Sequence, residues 1–241
     1  MIEVDQVTKR FSDRDVIRDV NLSVGDGEIV AIMGSSGGGK TTLLRMIAGL
    51  TPITKGTITV EGIDVRAQPD EARRKMGMVF QSGAPFDYLN VRDNLLFGPR
   101  RRRKLTKQEE DDLVAEYLGL VDLQNAEQLM PSELSGGMKK RLGVARALIL
   151  KPSIMLYDEP TTGLDPITTY TVDALMVRLR KELKITSLIV SHDVSSVFRV
   201  ADRIAFLHKG ALTFTGTPSE FANSTDPSIN EMVQKAQAVS F

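Results

Sequence analysis

The stretch EIVAIMGSSGGGKTTLLRMIAGL, residues 28–50, decides the fold, because an apolar run, a glycine-rich loop and a helical pattern follow one another in it. Its loop, GSSGGGKT at residues 34–41, fits the phosphate-binding pattern G-x-x-x-x-G-K-S/T. Glycines let backbone N–H groups turn towards a phosphate chain, and the helix that follows points its positive end at the same anion. The alternative is a flexible glycine linker, but a linker would not join two regular elements. We therefore expect a nucleotide phosphate site here.

Two side chains of this loop can act directly on the phosphates of ATP. Lys40 can reach the β- and γ-phosphates, and the Thr41 hydroxyl can bind Mg²⁺. The residues expected to hold the nucleotide at this loop are Gly34, Ser35, Ser36, Gly37, Gly38, Gly39, Lys40, Thr41 and Thr42.

Polar residues also follow three other strand patterns. SIMLYDEP ends an apolar run with Asp158, which can hold Mg²⁺, and Glu159, which can orient and deprotonate an attacking water. His192 follows TSLIVS and can hydrogen-bond the γ-phosphate or that water, and Gln81 follows MVF and can contact Mg²⁺ or water. The alternatives are a solvent-facing acid pair, a structural histidine and an ordinary polar residue at a strand end. The functional interpretation is favoured for Asp158, Glu159 and His192, because parallel sheets bind ligands at the carboxyl ends of their strands.

The composition excludes several classes of protein. The 241 residues are 41% hydrophobic, which is enough for a buried core, and their 31 basic and 31 acidic side chains cancel. That balance gives no overall attraction to nucleic acid, so no nucleic-acid partner is expected. There is no cysteine and only two histidines, His192 and His208, which excludes disulfides and histidine-rich metal sites. No apolar run approaches about 18 residues, so we expect a cytoplasmic chain that reaches a membrane only by docking on a spanning partner.

Strand and helix patterns alternate along most of the chain, which predicts an α/β fold with a mostly parallel sheet. The middle, roughly residues 88–150, is mainly helical and is expected to be an inserted helical subdomain. Within it, Thr106 and Glu109 have the spacing of a capping box. The run RRRRK at residues 100–104 is expected to be a solvated loop, with attraction to anionic lipid headgroups as the alternative.

A second candidate phosphate contact lies in ELSGGMKKRLGVARA, residues 133–147, where a hydroxyl and two glycines precede a helical pattern. Taken alone, these residues are more typical of an ordinary helix N-cap followed by flexible glycines.

Together the motifs resemble those of the nucleotide-binding subunit of an ATP-binding cassette (ABC) transporter, over roughly residues 2–222. GSSGGGKT resembles the Walker A loop, IMLYDE the Walker B strand, LSGGM the signature motif and GLDP the D-loop. Gln81 falls at the Q-loop, His192 at the H-loop, and Phe11 where the family places an adenine-stacking aromatic ring. The resemblance implies a P-loop NTPase core, an antiparallel β subdomain at the N-terminus and the helical insert. It also implies an ABC ATPase domain at residues 1–222 and a C-terminal extension at 223–241.

The resemblance further implies an ATPase that works as a head-to-tail homodimer with ATP and Mg²⁺ between the two copies. Ser135, Gly136 and Gly137 would cradle the γ-phosphate of the ATP held by the partner's Lys40, and Asp165 would lie at the dimer seam. The loop after Gln81, residues 82–99, carries the apolar side chains Phe86, Tyr88, Leu89 and Phe97 and would receive a coupling helix of an integral membrane permease. Packing of those side chains into the local core is the alternative.

Within the family, Met138 in the signature, FQSGAPFD and YDEPTTGLDPIT are similar to the ATPases of Mce-associated, Mla-type phospholipid trafficking. That similarity implies lipid transport in a bacterial envelope, an Mce-type substrate-binding partner and a place on the cytoplasmic face of the inner membrane. An ATPase for amino-acid import or lipoprotein release is the alternative within the family. Outside it, the alternatives are a soluble ABC protein acting on ribosomes or DNA, a small-molecule P-loop kinase and an inactive binding module. A single cassette, the signature motif and the full set of catalytic residues argue against these three.

Overall fold

The computed structural model describes residues 1–238 and contains two β-sheets with helices around them. In chain order the strands are β1 (Ile2–Phe11), β2 (Arg14–Val24), β3 (Ile29–Met33), β4 (Lys55–Val60), β5 (Ile63–Asp64), β6 (Met76–Val79), β7 (Ile154–Asp158), β8 (Thr186–Val190), β9 (Arg203–His208) and β10 (Ala211–Gly216). The helices are α1 (Lys40–Ile47), α2 (Pro69–Arg74), α3 (Val91–Arg102), α4 (Lys107–Leu120), α5 (Gly136–Leu148), α6 (Pro166–Leu183), α7 (Val194–Val200), α8 (Pro218–Ala222) and α9 (Pro227–Ala238), and a 3₁₀ turn spans Pro131–Glu133.

The larger sheet has the strand order β10-β9-β3-β8-β7-β6. All its strands from β9 to β6 run parallel, and β10 joins antiparallel at one edge. Every residue of β3, β7 and β8 is buried, as expected for parallel strands that are covered on both faces. The predicted α/β fold with a mostly parallel sheet is therefore confirmed.

The smaller sheet is antiparallel, with the order β2-β1-β4-β5, and is formed by the first third of the chain. Helix α1 lies between the two sheets and packs against β2 and β4 of one and β7 and β8 of the other. Its side chains Leu43, Leu44 and Ile47 belong to a core shared by both sheets. This packing holds the start of α1, and with it the glycine-rich loop, at the edge of the parallel sheet.

Helices α3, α4 and α5 lie within residues 91–148. They share a second hydrophobic core with the opposite face of the parallel sheet. The capping box of α4 is confirmed, because the Thr106 side chain accepts from the Glu109 N–H and the Glu109 side chain accepts from the Thr106 N–H. The boundaries of the insert, and of the domain and the C-terminal extension, stay predictions.

The expectation of a solvated loop at residues 100–104 is wrong for its first three residues, which form the last turn of α3. Arg100 donates to Asp93 at 2.7 Å and to Glu110 at 2.6 Å, so carboxylates on α3 and α4 balance its charge. These ion pairs stabilise the last turn of α3, a helix that the sequence analysis did not predict. They also leave less unbalanced positive charge for anionic lipid headgroups.

The predicted C-terminal extension, residues 223–241, contains α9, whose Ile229 and Val233 are buried against the core that contains Met33 and Phe206. Its last residues, 239–241, lie outside the described residues. Within residues 1–238, none of the helices combines the length and the apolar character that crossing a bilayer requires.

Replacing Phe221 of α8 with alanine should destabilise the fold. Phe221 is fully buried, and its ring centroid lies 5.7 Å from that of Phe206 and 5.4 Å from that of Phe214. The cavity left by Phe221→Ala should lower the free energy of unfolding by about 3–5 kcal/mol, measured by chemical denaturation. Tyr88→Ala, at a side chain with 73% of its surface exposed, is the control and should change it by less than about 0.5 kcal/mol. Equal losses in the two variants would contradict this packing.

Candidate functional site

The glycine-rich loop has a backbone that only glycine fits at two positions. Gly34 has φ 150°, and a Cβ atom there would lie 2.2 Å from the carbonyl oxygen of Leu207 on β9. Gly39, immediately before α1, has φ 99°, and its Cβ would lie 2.7 Å from Ile17. The start of the loop thus lies against the larger sheet and its end against the smaller sheet, and these two close approaches restrain the backbone of the loop.

Lys40 is buried at the first turn of α1, inside the curve of this loop. Its Nζ donates to the carbonyl oxygens of Gly34 at 2.9 Å and Ser35 at 3.2 Å. Burial holds the pKa of Lys40 below its usual range, and the nearby carboxylates of Glu159 and Asp158 oppose that shift. The ammonium group is therefore held where an incoming phosphate oxygen could replace a carbonyl as its partner.

Thr41 and Asp158 join the loop to the end of β7. The Thr41 hydroxyl donates to Asp158 Oδ1 at 2.8 Å, and Asp158 is buried. Among residues 1–238, no cluster of three or more His, Cys, Asp or Glu side chains could hold a metal ion. A hard cation bound here would therefore combine these two oxygen ligands with oxygens of the nucleotide and water, which is the pattern that Mg²⁺ prefers.

Glu159 and His192 are in direct contact. The Nδ1–H group of His192 donates to Glu159 Oε2 at 2.8 Å, and the Thr162 hydroxyl donates to the same oxygen at 3.0 Å. The Glu159 side chain is 13% exposed, whereas that of His192 is 54% exposed. Glu159 has φ 51°, in the left-handed region, and its N–H donates to the Val190 carbonyl at 2.9 Å. Such strained backbone is concentrated at functional sites.

Gln81 lies just beyond β6, and its side chain is exposed. The hydrogen bond that ties this residue to the site runs through its backbone, because Lys140 Nζ donates to the Gln81 carbonyl oxygen. Within the part of the chain that the structure describes, the Gln81 amide group has no hydrogen bond to Thr41, Asp158 or Glu159. Lys140 was missed by the sequence analysis, since a lysine inside a helical pattern gives no sign of such a contact.

The signature residues lie at the start of α5. The Ser135 hydroxyl accepts from the Met138 N–H at 3.2 Å, which is the N-cap that the local pattern suggests. Ser135 and Gly136 are exposed, while a Cβ on Gly137 would lie 2.3 Å from the Thr168 methyl group. In the described residues, neither Ser135 nor either glycine hydrogen-bonds the phosphate loop of its own chain.

Asp165 caps α6 by accepting from the N–H groups of Ile167 and Thr168, each at 3.0 Å. The Thr168 hydroxyl and these N–H groups hold the pKa of Asp165 below its usual range. Phe11 lies at the end of β1 with 48% of its surface exposed, and the Lys9 ammonium lies 4.5 Å from its ring centroid. A planar base could stack only on the other face of that ring.

The loop after Gln81 is more ordered than its sequence suggests. Asn94, which the sequence analysis missed, is buried and bonds the Phe86 N–H at 2.7 Å and the Leu89 carbonyl at 2.7 Å. The expectation that Phe97 lies on a loop is wrong: it lies in α3 and packs on Phe86, with ring centroids 4.4 Å apart. Tyr88 remains exposed, so this segment combines local packing with an accessible aromatic side chain.

Comparison with known proteins places the site in context. The family model for ABC transporters matches residues 17–162. The chain is 40% identical to the intermembrane phospholipid transport system ATP-binding protein MlaF of Haemophilus influenzae, covering 94% of this chain and 87% of that protein. It is 37% identical to the chloroplastic protein TRIGALACTOSYLDIACYLGLYCEROL 3 of Arabidopsis thaliana, covering 96% and 72%. It is 41% identical to the glutamine transport ATP-binding protein GlnQ of Escherichia coli, covering 90% and 92%.

A solved structure of an ATP-binding cassette has the same fold as this chain. An ATP-binding cassette in a dimeric post-hydrolysis state with ADP and Pi superposes with a TM-score of 0.82, at 30% identity, over 90% of this chain and 99% of that one.

Replacing Lys40 with alanine should weaken ATP binding about tenfold to hundredfold, since a charge-assisted hydrogen bond contributes about 1.5–3 kcal/mol. Isothermal titration of ATP into the purified protein measures this. Lys104→Ala, which removes an exposed lysine, is the matched control and should bind ATP as the unaltered chain does. Equal ATP affinity in both variants would contradict the assignment of the loop.

Proposed function

Because the chain belongs to the ABC transporter family and is an ATP-hydrolysing subunit of a transporter, we propose that its ATP hydrolysis powers phospholipid transport in a bacterial envelope. The observation that carries the hydrolytic part is the arrangement of Lys40, Thr41, Asp158, Glu159 and His192 at neighbouring strand ends. The lipid part is supported by the similarity to MlaF, a phospholipid transport ATP-binding protein.

In this proposal the phosphate loop and Lys40 hold the β- and γ-phosphates of ATP. Thr41, Asp158 and Gln81 provide oxygen ligands for Mg²⁺, which neutralises charge on the phosphate oxygens when bound. Gln81 can serve only if its exposed amide turns towards the metal when nucleotide binds, because its side chain does not reach the other two ligands here.

The hydrolytic step assigns separate roles to Glu159 and His192. The Glu159 carboxylate accepts a proton from a water molecule as the water oxygen attacks the γ-phosphorus, and the bond from that phosphorus to the β–γ bridging oxygen breaks, so that ADP leaves with the bridging oxygen. Thr162 and His192 both donate to Glu159 Oε2, so they fix the orientation of the carboxylate. Since Nδ1 of His192 donates in that contact, Nε2 of the neutral ring is an acceptor, which can take a hydrogen bond from a water beside the terminal phosphate.

The proposed active unit is a head-to-tail pair of chains. Ser135 and Gly136 are exposed at the positive end of α5 and, within residues 1–238, do not hydrogen-bond the phosphate loop of their own chain. They are placed to bind the γ-phosphate of ATP held by a second copy. Gly137 packs closely on Thr168 behind them, and Asp165 would lie at the seam between the two copies. Phe11 would stack on the adenine through the ring face opposite Lys9.

Membrane partners complete the proposal. The segment with Phe86 and exposed Tyr88 is proposed to receive a permease subunit, because an aromatic surface beside the Gln81 turn can transmit a shift to the site. We also propose an Mce-type substrate-binding protein as a partner and a place on the cytoplasmic face of the inner membrane, and the similarity to the intermembrane phospholipid transport protein MlaF supports both.

The second candidate is amino-acid import. The chain is 41% identical to the glutamine transport protein GlnQ, over 92% of that protein. This supports amino-acid import about as strongly as the 40% identity to MlaF supports phospholipid transport. The residues that hydrolyse ATP would be the same in both cases, so the substrate depends on the membrane partners.

Replacing Glu159 with glutamine should leave ATP binding intact and lower turnover by about 10²–10⁴, since the amide cannot accept the proton. ATP should then remain bound and hold two copies together, which light scattering after size-exclusion chromatography detects. Glu116→Gln, on the exposed face of α4, is the control and should keep its turnover. A variant that stays monomeric in saturating ATP would contradict the head-to-tail pair.

The lipid assignment can be tested on the complex purified with its native membrane partners. Mass spectrometry of the bound small molecules should identify phospholipid, and ATP should drive its transfer between vesicles. The same complex with Lys40→Ala is the control and should bind lipid without ATP-driven transfer. Bound glutamine or another amino acid, with no transfer of phospholipid, would support the second candidate instead.

A further inference from the structure

Lys140 is a buried lysine in the second turn of α5, five residues after Ser135, and only 6% of its surface is exposed. Its Nζ donates to the carbonyl oxygen of Gln81 and, at 3.4 Å, to the carbonyl oxygen of Glu159. These two carbonyls lie just beyond the ends of β6 and β7. One side chain therefore connects the signature helix to the backbone of two residues that the proposed mechanism uses.

The backbone of α5 also lies directly on the turn that follows β6. A Cβ atom on Gly83 would lie 2.5 Å from the Lys139 carbonyl oxygen, and one on Gly143 would lie 2.9 Å from the Gly83 carbonyl oxygen. One turn further along α5, the Arg146 guanidinium donates to the Ala84 carbonyl. This close approach is what lets the Lys140 side chain reach Gln81.

The Lys140 ammonium has hydrogen-bond partners that a purely apolar packing role would not need. A buried charge is costly unless it is hydrogen-bonded, and the two hydrogen bonds of the Lys140 ammonium are both to backbone carbonyls of functional loops. One of those carbonyls belongs to Glu159, whose φ of 51° must be held by its surroundings. A methionine would fill the same volume without either bond.

We propose that Lys140 is a positioning residue for ATP hydrolysis, which fixes the Glu159 and Gln81 backbones to α5. A shift of the signature helix then reaches the carboxylate that takes the proton from water. The inference rests on the roles proposed above for Glu159 and Gln81.

The test compares ATPase kinetics of Lys140→Met, Lys140→Gln and the exposed control Lys107→Met. Lys140→Met should lower kcat about tenfold to hundredfold, the size of effect that a small misplacement of a catalytic group produces. Its KM for ATP should stay within about twofold, because no phosphate contact is lost. Lys140→Gln keeps an N–H donor and should recover part of kcat, while Lys107→Met should behave as the unaltered protein.

Three results would overturn the inference. One is a kcat for Lys140→Met equal to that of Lys107→Met. Another is a rise in KM with no loss of kcat. The third is a loss of kcat that matches only the loss of folded protein seen by circular dichroism, with no recovery in Lys140→Gln. If Lys140→Met does not fold, Lys140→Gln is compared with Lys107→Met instead. A lower kcat in Lys140→Gln supports the inference, and an equal kcat overturns it.

Glu159→Gln, assayed in parallel, separates this inference from the proposed mechanism. Loss of turnover in Glu159→Gln with full kcat in Lys140→Met contradicts the role of Lys140 alone. Full turnover in Glu159→Gln contradicts the proposed mechanism itself.

Discussion

The hydrogen bond from the Thr41 hydroxyl to Asp158 Oδ1, 2.8 Å long, is the contact on which the site depends. It joins the start of α1 to the end of β7, two points that are 117 residues apart in the chain. It can form because β3 pairs with β8 and β8 with β7, all in parallel, so that their carboxyl ends share one edge of the sheet. A hydroxyl, a carboxylate, an ammonium and a glycine-lined backbone are thereby brought together at one edge of the sheet.

The sequence was sufficient for the strands and helices that carry this edge. Strands β3, β7 and β8 are continuous apolar runs because both of their faces are buried, and the glycine pattern marks the one loop that can follow β3. The sequence was not sufficient for contacts made across long separations. Lys140 donates to the carbonyl oxygen of Gln81, 59 residues away, whereas Asn94 and Arg100 bond groups 5 and 10 residues away whose pairing no local spacing rule predicts. No local pattern encodes such partners.

Two buried lysines have separate proposed roles, Lys40 in phosphate binding and Lys140 in positioning the hydrolytic residues. The Lys40 ammonium lies within the phosphate loop, where it donates to the carbonyl oxygens of Gly34 and Ser35. The Lys140 ammonium lies behind the site, bound to carbonyls of the Gln81 and Glu159 backbones. The exposed Ser135 precedes Lys140 on the same helix, so a second copy docking at Ser135 would act on a helix that already contacts the hydrolytic residues. These residues do not select the transported substrate, because all of their proposed roles concern ATP.

The most direct test is a crystal structure of the chain with Mn²⁺ and a non-hydrolysable ATP analogue, in which anomalous scattering locates the metal. The account predicts the metal about 2.0–2.3 Å from Thr41 Oγ1 and from a terminal phosphate oxygen, with Asp158 bound to it directly or through one water. It also places the terminal phosphate inside the loop, beside Lys40. A metal held away from Thr41 and Asp158, or a phosphate chain outside the loop, would contradict it.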